Sequence, residues 1–251
     1  MPLVEHTFKF TSNLKAIYKL VLSTDSKKIV EICSKYKNII DLGGMPLVEH
    51  TFKFVSNLKA IHKLALSTDS KKIIKICSKY KKIEVPFMRP KELSTDSANI
   101  SDVSLHILEH YKKEKFTHLA LFQPTTPFRN IDDISNAIDF FKSRNTESIF
   151  SVNEIIYHPS RCITIKENSY EYVLKPPTKM EGRQFLQKVY SINGSFYMCS
   201  IDFLKSNKSF MSPDSVPVVF SRESSFDIDD HYDLEQARQF YDLKDSQQEQ
   251  K

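Results

Sequence analysis

Glycine is scarce in this chain: only Gly43, Gly44, Gly182 and Gly194 occur in 251 residues. A phosphate cradle made of consecutive backbone amides needs several glycines close together, and the sequence holds no such loop. It also lacks any apolar run near the roughly 18 residues that a membrane span requires. The opening MPLVEHTFKF has no basic start followed by an apolar stretch, so no secretory signal is expected. Four cysteines occur, Cys33, Cys77, Cys162 and Cys199, without CxxC or Cys/His metal spacing. They read as small thiols of a reducing compartment, which points to a cytoplasmic protein, or a nuclear one in a eukaryote, with no membrane partner.

The composition itself is that of a globular protein, with 40% apolar and 27% charged residues. The formal net charge of +5 comes from scattered lysines such as KKIIKICSKYKK. These read as solvated helix faces, so no nucleic-acid partner is expected.

The chain repeats itself. Residues 1–37 match residues 45–81 at all but five positions: Thr11/Val55, Tyr18/His62, Val21/Ala65, Val30/Ile74 and Glu31/Lys75. Each copy reads as helix, strand, helix: LVEHTFKFVSNLKAI carries apolar residues at helical spacing, KLALST is a short buried strand, and STDSKKIIKICSKY starts a helix behind a Ser/Thr/Asp cap. Two copies are too few for a solenoid, so this is a local duplication.

Downstream, SDVSLHILEHYKK and IDDISNAIDFFKSR read as helices, THLALFQ and SIFSVNEI as buried strands. The alternation predicts an α/β domain with a mainly parallel sheet covered by helices on both faces. Residues 157–190 alternate like a hairpin and read as an inserted β subdomain. SINGSFYMCSIDFLKS returns to strand and helix. DDHYDLEQARQFYDL is the last helix, with Asp233 as expected N-cap and Gln236 completing a capping box. Residues 245–251 are expected to form a disordered tail.

Ligands of such sheets sit beyond the carboxyl ends of the strands. Four segments are expected there: VPFMRPKELSTDSANIS with Arg89, LFQPTTPFR with Gln123, GRQFLQKVYSINGSFY with Arg183, Gln184, Asn193 and Tyr197, and SFDIDDHYD. In an extended SFDIDD, Asp227 and Asp229 project to one side. Such close carboxylates repel unless a cation lies between them, and they suit Mg²⁺ bound with substrate phosphates. A polar turn ahead of the last helix is the alternative.

Six stretches, MPLVEHTF, LALSTDSKKI, VPFMRPKELSTDSA, LFQPTTPFRNIDDI, GRQFLQKVYSINGSFY and SFDIDDHYDLEQA, together resemble in order and spacing the acylneuraminate (sialic acid) cytidylyltransferase family over about residues 37–240. The resemblance implies a three-layer Rossmann-like nucleotide-diphospho-sugar transferase fold and a homodimer held partly by the inserted β subdomain. It also implies Mg²⁺-dependent transfer of CMP from CTP to an N-acylneuraminate, with release of pyrophosphate. By the same resemblance, Asp227 and Asp229 hold the metal, Lys37 and Asn38 bind the nucleotide, and Arg89, Ala98 and Ser101 surround the cytidine. Gln123, Arg183 and Tyr197 hold the acidic sugar, and Arg183 suits its carboxylate because guanidinium binds carboxylates bidentately.

One departure from the family pattern stands out. The family begins with a strand and a glycine-containing phosphate loop of the form PARxGSK, followed by KN and GKPL. Here Lys37, Asn38, Gly43, Gly44, Pro46 and Leu47 fit the tail of that pattern in SKYKNIIDLGGMPL. The cytidylyltransferase-like domain is therefore expected over 37–244, with residues 1–36 a duplicated segment of uncertain fold. Its strand, KLVLST, must fill the vacant first-strand position, pair with another molecule or stay loosely packed, and partial substitution in the first-strand place is favoured. Nothing in 1–36 supplies the loop's arginine and glycines. Two alternatives stay open: a non-catalytic homologue with impaired CTP binding, or a cytidylyltransferase for another acidic sugar.

Overall fold

The computed structural model describes residues 19–23, 40–61, 63–95, 97–114, 116–174 and 186–248. Among them a seven-stranded sheet forms the middle layer, built from β1 (Lys19–Ser23), β4 (Lys63–Ser67), β5 (Ile83–Glu84), β6 (His118–Phe122), β7 (Ser148–Glu154), β10 (Tyr190–Ser200) and β11 (Val216–Val219), in the order β11-β7-β10-β6-β1-β4-β5. Every neighbouring pair is parallel except those made by β10, which runs antiparallel to both β6 and β7. The carboxyl ends of six strands therefore share one edge of the sheet with the first half of β10.

The apolar runs make the layers. In β4, Leu64 and Leu66 enter one core while Ala65 enters another. In β6, Ala120 and Phe122 divide from Leu119 and Leu121 in the same way. A strand buried on both faces needs this continuous apolarity rather than a half-polar alternation. The first core packs against α1 (Leu47–Asn57), α2 (Lys71–Cys77) and α4 (Ile131–Ser143), the second against α3 (Ile100–His110) and α5 (Ile201–Asn207). Phe52, Phe122 and Phe196 are fully buried in the first core, each contributing roughly 1.5–3 kcal/mol by burial. A third, smaller core joins Ile40, Leu42 and Leu47 to Leu234 and Ala237 of α6 (His231–Gln248), closing the short hairpin β2 (Asp41–Leu42) and β3 (Met45–Pro46) under the last helix. No helix among the described residues is long and apolar enough to cross a membrane.

The duplicated strand joins the sheet. β1 lies between β4 and β6, and each of its residues pairs with its own duplicate, from Lys19↔Lys63 to Ser23↔Ser67. Part of the added segment is thus built into the sheet of the domain downstream.

Three details differ from the expectations above. Strand β11 is not among the expected elements: Pro217 lacks a ladder donor, and the structure tolerates it because β11 is the outermost strand. The last helix is capped one turn earlier than expected. Asp230 Oδ1 accepts from Asp233 N–H at 3.0 Å, and Asp233 Oδ2 accepts in return from the Asp229 and Asp230 amides. Asp233 is therefore the reciprocal partner of the cap, and Gln236 has no part in it. That helix also runs to Gln248, into the stretch expected to be tail; Ser246 Oγ donating to the Asp242 carbonyl continues its one-turn spacing. The hairpin of β8 (Ile163–Lys166) and β9 (Ser169–Tyr172) lies within residues 157–190, where alternation is seen in the sequence.

Candidate active site

Strand order places the site. From β1 the chain moves outward to β4 and β5, then returns across β1 to β6. The order reverses between β1 and β6, and crevices for ligands open at such reversals, beyond the strands' carboxyl ends. The segments after β5, β6 and β11 leave the sheet at this edge, and the described part of the third segment, from residue 186, enters β10 there.

On the β4 side stands Arg89. Its amide donates to Thr68 O at 3.0 Å just past β4. Its guanidinium donates from Nε to Ser94 Oγ at 3.1 Å and lies 3.7 Å from Asp69. Burial lowers its pKa to about 10, so it remains a cation at neutral pH. The loop it braces leads to Ala98, whose amide donates to Thr95 O, and to α3, where Asn99 caps the amide of buried Ser101. The three residues assigned to cytidine thus sit on one connected segment.

On the β6 side, the strand ends at Phe122, and Gln123 opens a Pro-rich loop that runs to Arg129. The guanidinium of Arg129 is buried. It donates from Nε to Ser195 O at 2.8 Å, from Nη1 to Thr51 Oγ1 at 3.3 Å, and from Nη2 to Gln123 O, and it stacks 5.2 Å above the Phe122 ring. Burial pulls its pKa down to about 9, against a raising contribution from Asp227. Across from it, β10 loses its regular pairing with β7 between Ile192 and Tyr197. Gly194 in this bulge has φ +69°, and the Gln123 carboxamide lies against it: a Cβ built on Gly194 would come within 2.5 Å of Gln123 Oε1.

The fourth segment comes after β11 and is tied down by hydroxyls. Asn193 donates to Ser225 Oγ at 2.7 Å while its Oδ1 accepts from Ser151 Oγ and the Ser195 amide. Ser195 Oγ donates to Ser224 O, and Ser224 Oγ to Asp133 of α4. The loop therefore delivers Asp227 against Thr125 in the β6 loop, where Ile228 N–H donates to Thr125 O at 2.9 Å.

Burial raises the pKa of Asp227, aided by the charge of Asp229, while a hydrogen bond from Thr125 and the charge of Arg129 act in the opposite sense. Asp227 Oδ1 is buried and has no hydrogen-bond partner. Burial, and after it the Asp227 charge, raise the pKa of the half-buried Tyr197 phenol, whose ring packs 5.9 Å from that of Phe210 in the second core.

A hard divalent cation fits these residues. The unpartnered oxygen of Asp227 is a ready ligand, and Asp229, two residues on, is exposed beside it. Among the described residues no cluster of three or more His, Cys, Asp or Glu could hold a metal alone. The other ligands of an ion here would be phosphate oxygens and water, as Mg²⁺ prefers.

Of the residues singled out from sequence, Gln123 lies against Gly194 of β10 and Asp227 against Thr125 of the β6 loop, with Asp229 two residues on. Tyr197 packs against Phe210 in the second core, and Arg89, Ala98 and Ser101 group on the β4 side. Arg183, Lys37 and Asn38 lie outside the described residues, as does Gln184. Sequence reasoning missed Arg129, Thr51, Thr125 and Gly194. The one available signal was the arginine that closes the apolar LFQPTTPFR, because a cation in that setting must find buried acceptors.

A family model described as cytidylyltransferase matches residues 35–248. Among similar curated proteins, the N-acylneuraminate cytidylyltransferase of Streptococcus agalactiae is 29% identical over 59% of this chain and 35% of its own length. The CMP-N,N'-diacetyllegionaminic acid synthase of Legionella pneumophila is 29% identical over 91% of this chain and 80% of its own. This chain thus spans about a third of the first relative's length. In fold it is similar to CMP:2-keto-3-deoxy-manno-octonic acid synthetase solved with CTP, with TM-score 0.61 and 10% identity, covering 91% of this chain and 100% of that one.

Proposed function

From the premise that this chain belongs to the cytidylyltransferase family, we propose that it transfers CMP from CTP to an acidic nine-carbon sugar, an N-acylneuraminate, releasing pyrophosphate. The observation that carries this reading is the buried, unpartnered Asp227 oxygen on the loop whose Ile228 amide donates to Thr125 O, just past Gln123 at the end of β6. In the reaction the sugar's anomeric hydroxyl oxygen forms a bond to the α-phosphorus and the bond from that phosphorus to the bridging oxygen breaks. Pyrophosphate leaves with the bond's electron pair, and the hydroxyl proton passes to solvent.

Mg²⁺, held by Asp227 and Asp229, would offset the charge on the phosphate oxygens. Arg89, Ala98 and Ser101 enclose the cytidine. Gln123 and Tyr197 orient the sugar, with Arg183 on its carboxylate. The chain acts as a homodimer: all eight residues of β8 and β9 are exposed, including Ile165 at 78% and Tyr170 at 58%. A two-stranded hairpin that is wet on both faces is marginal alone, and a second copy supplies the cover.

The absence of glycine between Ser23 and Lys37 favours a second reading, a homologue with impaired CTP binding. Pyrophosphate release from CTP and N-acetylneuraminate in Mg²⁺ decides between them, with legionaminate and deoxyoctulosonate as alternative acceptors. Turnover is expected with one of these sugars and is lost in Asp229→Asn while the fold persists. Turnover of that variant near the wild-type rate would overturn the metal assignment, and no turnover with any acceptor would leave the binding reading standing.

A further inference from the structure

Resting on the reading of Gln123 as a sugar contact, we propose that Arg129 and Gly194 together fix the Gln123 carboxamide, making Arg129 a positioning residue and Gly194 a position that sets which acidic sugar is accepted. Arg129 ties the two segments together: Nη2 donates to the Gln123 carbonyl and Nε to the Ser195 carbonyl, beside the point where the Gln123 carboxamide lies against Gly194. Nη1 fastens the same guanidinium to Thr51 of α1. A planar guanidinium with donors in a rigid fork holds two carbonyls from different segments in one fixed geometry, whereas an ammonium offers rotatable donors on a flexible stem.

The Gln123 carboxamide rests against Gly194. A Cβ there would meet only this group, coming within 2.5 Å of Oε1, so a side chain would push the carboxamide aside, and the φ of +69° disfavours any side chain in addition. The bulge in β10 creates this gap, and the Asn193 side chain, bonded to Ser151, Ser195 and Ser225, holds the bulge open. The carboxamide is thus located by backbone on both strands and is not free to follow different substituents of the sugar.

The test is steady-state kinetics with CTP and the accepted acidic sugar on Gly194→Ala, Arg129→Lys and Arg129→Met, each also combined with Gln123→Ala. Gly194→Ala and Arg129→Met are expected to raise KM for the sugar tenfold or more while KM for CTP changes less than twofold, with Arg129→Lys between. In the Gln123→Ala background, Gly194→Ala should add less than a twofold effect, because its collision partner is gone. An undiminished effect in that background, or equal rises in both KM values, would overturn the proposal in favour of general strain. Should Arg129→Met not fold, Arg129→Lys and the Gly194 cycle still decide. Urea denaturation of the same four Gly194/Gln123 combinations reads the overlap without any substrate. The midpoint lost by Gly194→Ala should be partly recovered with Gln123→Ala, and additive losses would refute the overlap. If the wild type neither turns over nor binds N-acetylneuraminate, legionaminate or deoxyoctulosonate, the enzyme reading fails and the selectivity claim with it, while that cycle still gives its answer.

Discussion

KLVLS and KLALS, residues 19–23 and 63–67, differ only at the Val21/Ala65 pair and lie next to each other in the sheet, each residue beside its duplicate. The later copy is wired into the site. Thr68 O accepts the Arg89 amide, Asp69 pairs with the Arg89 guanidinium, and Thr51 accepts from Arg129. The earlier copy contributes the strand that joins β4 to β6. A short apolar β-branched or leucine-rich run specifies a buried parallel strand but not which one. The residues just past the strand specify chemistry. After β1 these are STDSKK, the same text that after β4 caps a helix through Ser70, and not a glycine loop.

The comparison breaks most sharply on the strands themselves. Val21 and Ala65 each have neighbours on both sides. Proline at either removes a ladder donor from an interior strand and leaves a buried carbonyl unpaired, so each change is expected to cost about 1–3 kcal/mol, read by urea denaturation. A loss below about 0.5 kcal/mol for Val21→Pro, the range of ordinary surface changes, beside a full loss for Ala65→Pro would remove β1 from the sheet.

Next in size is the graft. Replacing residues 24–36 with a glycine-containing phosphate loop should raise CTP affinity at least tenfold, about 1.4 kcal/mol, by calorimetry. Backbone amides could then approach the phosphates, which a segment without glycine does not permit. Micromolar CTP binding by the original chain with no gain from the graft would show that STDSKK serves the triphosphate as it stands.

Much of this was legible in advance, for identifiable reasons. The helices α1, α3 and α4 and the strands β4, β6 and β7 have apolar periods that match one burial pattern each. Asp227 and Asp229 drew notice because two carboxylates at a spacing of two need an explanation, and the structure buries one oxygen of Asp227 without a partner. The antiparallel direction of β10 was not legible, since a buried strand reads the same either way. Neither was β11, whose proline argued against it. Arg129 stayed hidden because its partners are backbone carbonyls and a hydroxyl 66, 6 and 78 residues away, and carbonyls leave no mark in a sequence.

A smaller effect separates the copies by side chain. Thr51→Ala leaves one Arg129 donor without its acceptor and should cost about 1 kcal/mol. The same change in the leading copy, Thr7→Ala, is the control, measured in the same denaturation series. Equal costs would show that the two copies exchange places in the site.

The smallest expected effect is a pH dependence that the copies do not share. The His50 ring donates from Nε2 to Leu42 O at 2.8 Å and meets Tyr241 edge-on at 5.6 Å, beneath the hairpin that Tyr241 also covers at Gly43. Burial lowers its pKa, and Lys53 acts in the same direction, while the Leu42 hydrogen bond and the charges of Asp41 and Glu49 oppose it. The folded state therefore binds this proton less readily than the unfolded chain. Stability from the neutral ring is fully present above the unfolded value of about 6.5 and is lost as pH falls through the lowered folded value. His50→Gln keeps a donor for Leu42 O and removes the titration. Between pH 7 and 5 its unfolding free energy should fall less steeply than the wild type's, by roughly a few tenths of a kcal/mol given the ring's partial exposure. His6→Gln, the matching change in the first copy, should leave the wild-type slope in place. If His50→Gln and wild type lost stability in parallel over that range, the ring would be as well solvated folded as unfolded, and the hairpin would not be sealed by the last helix.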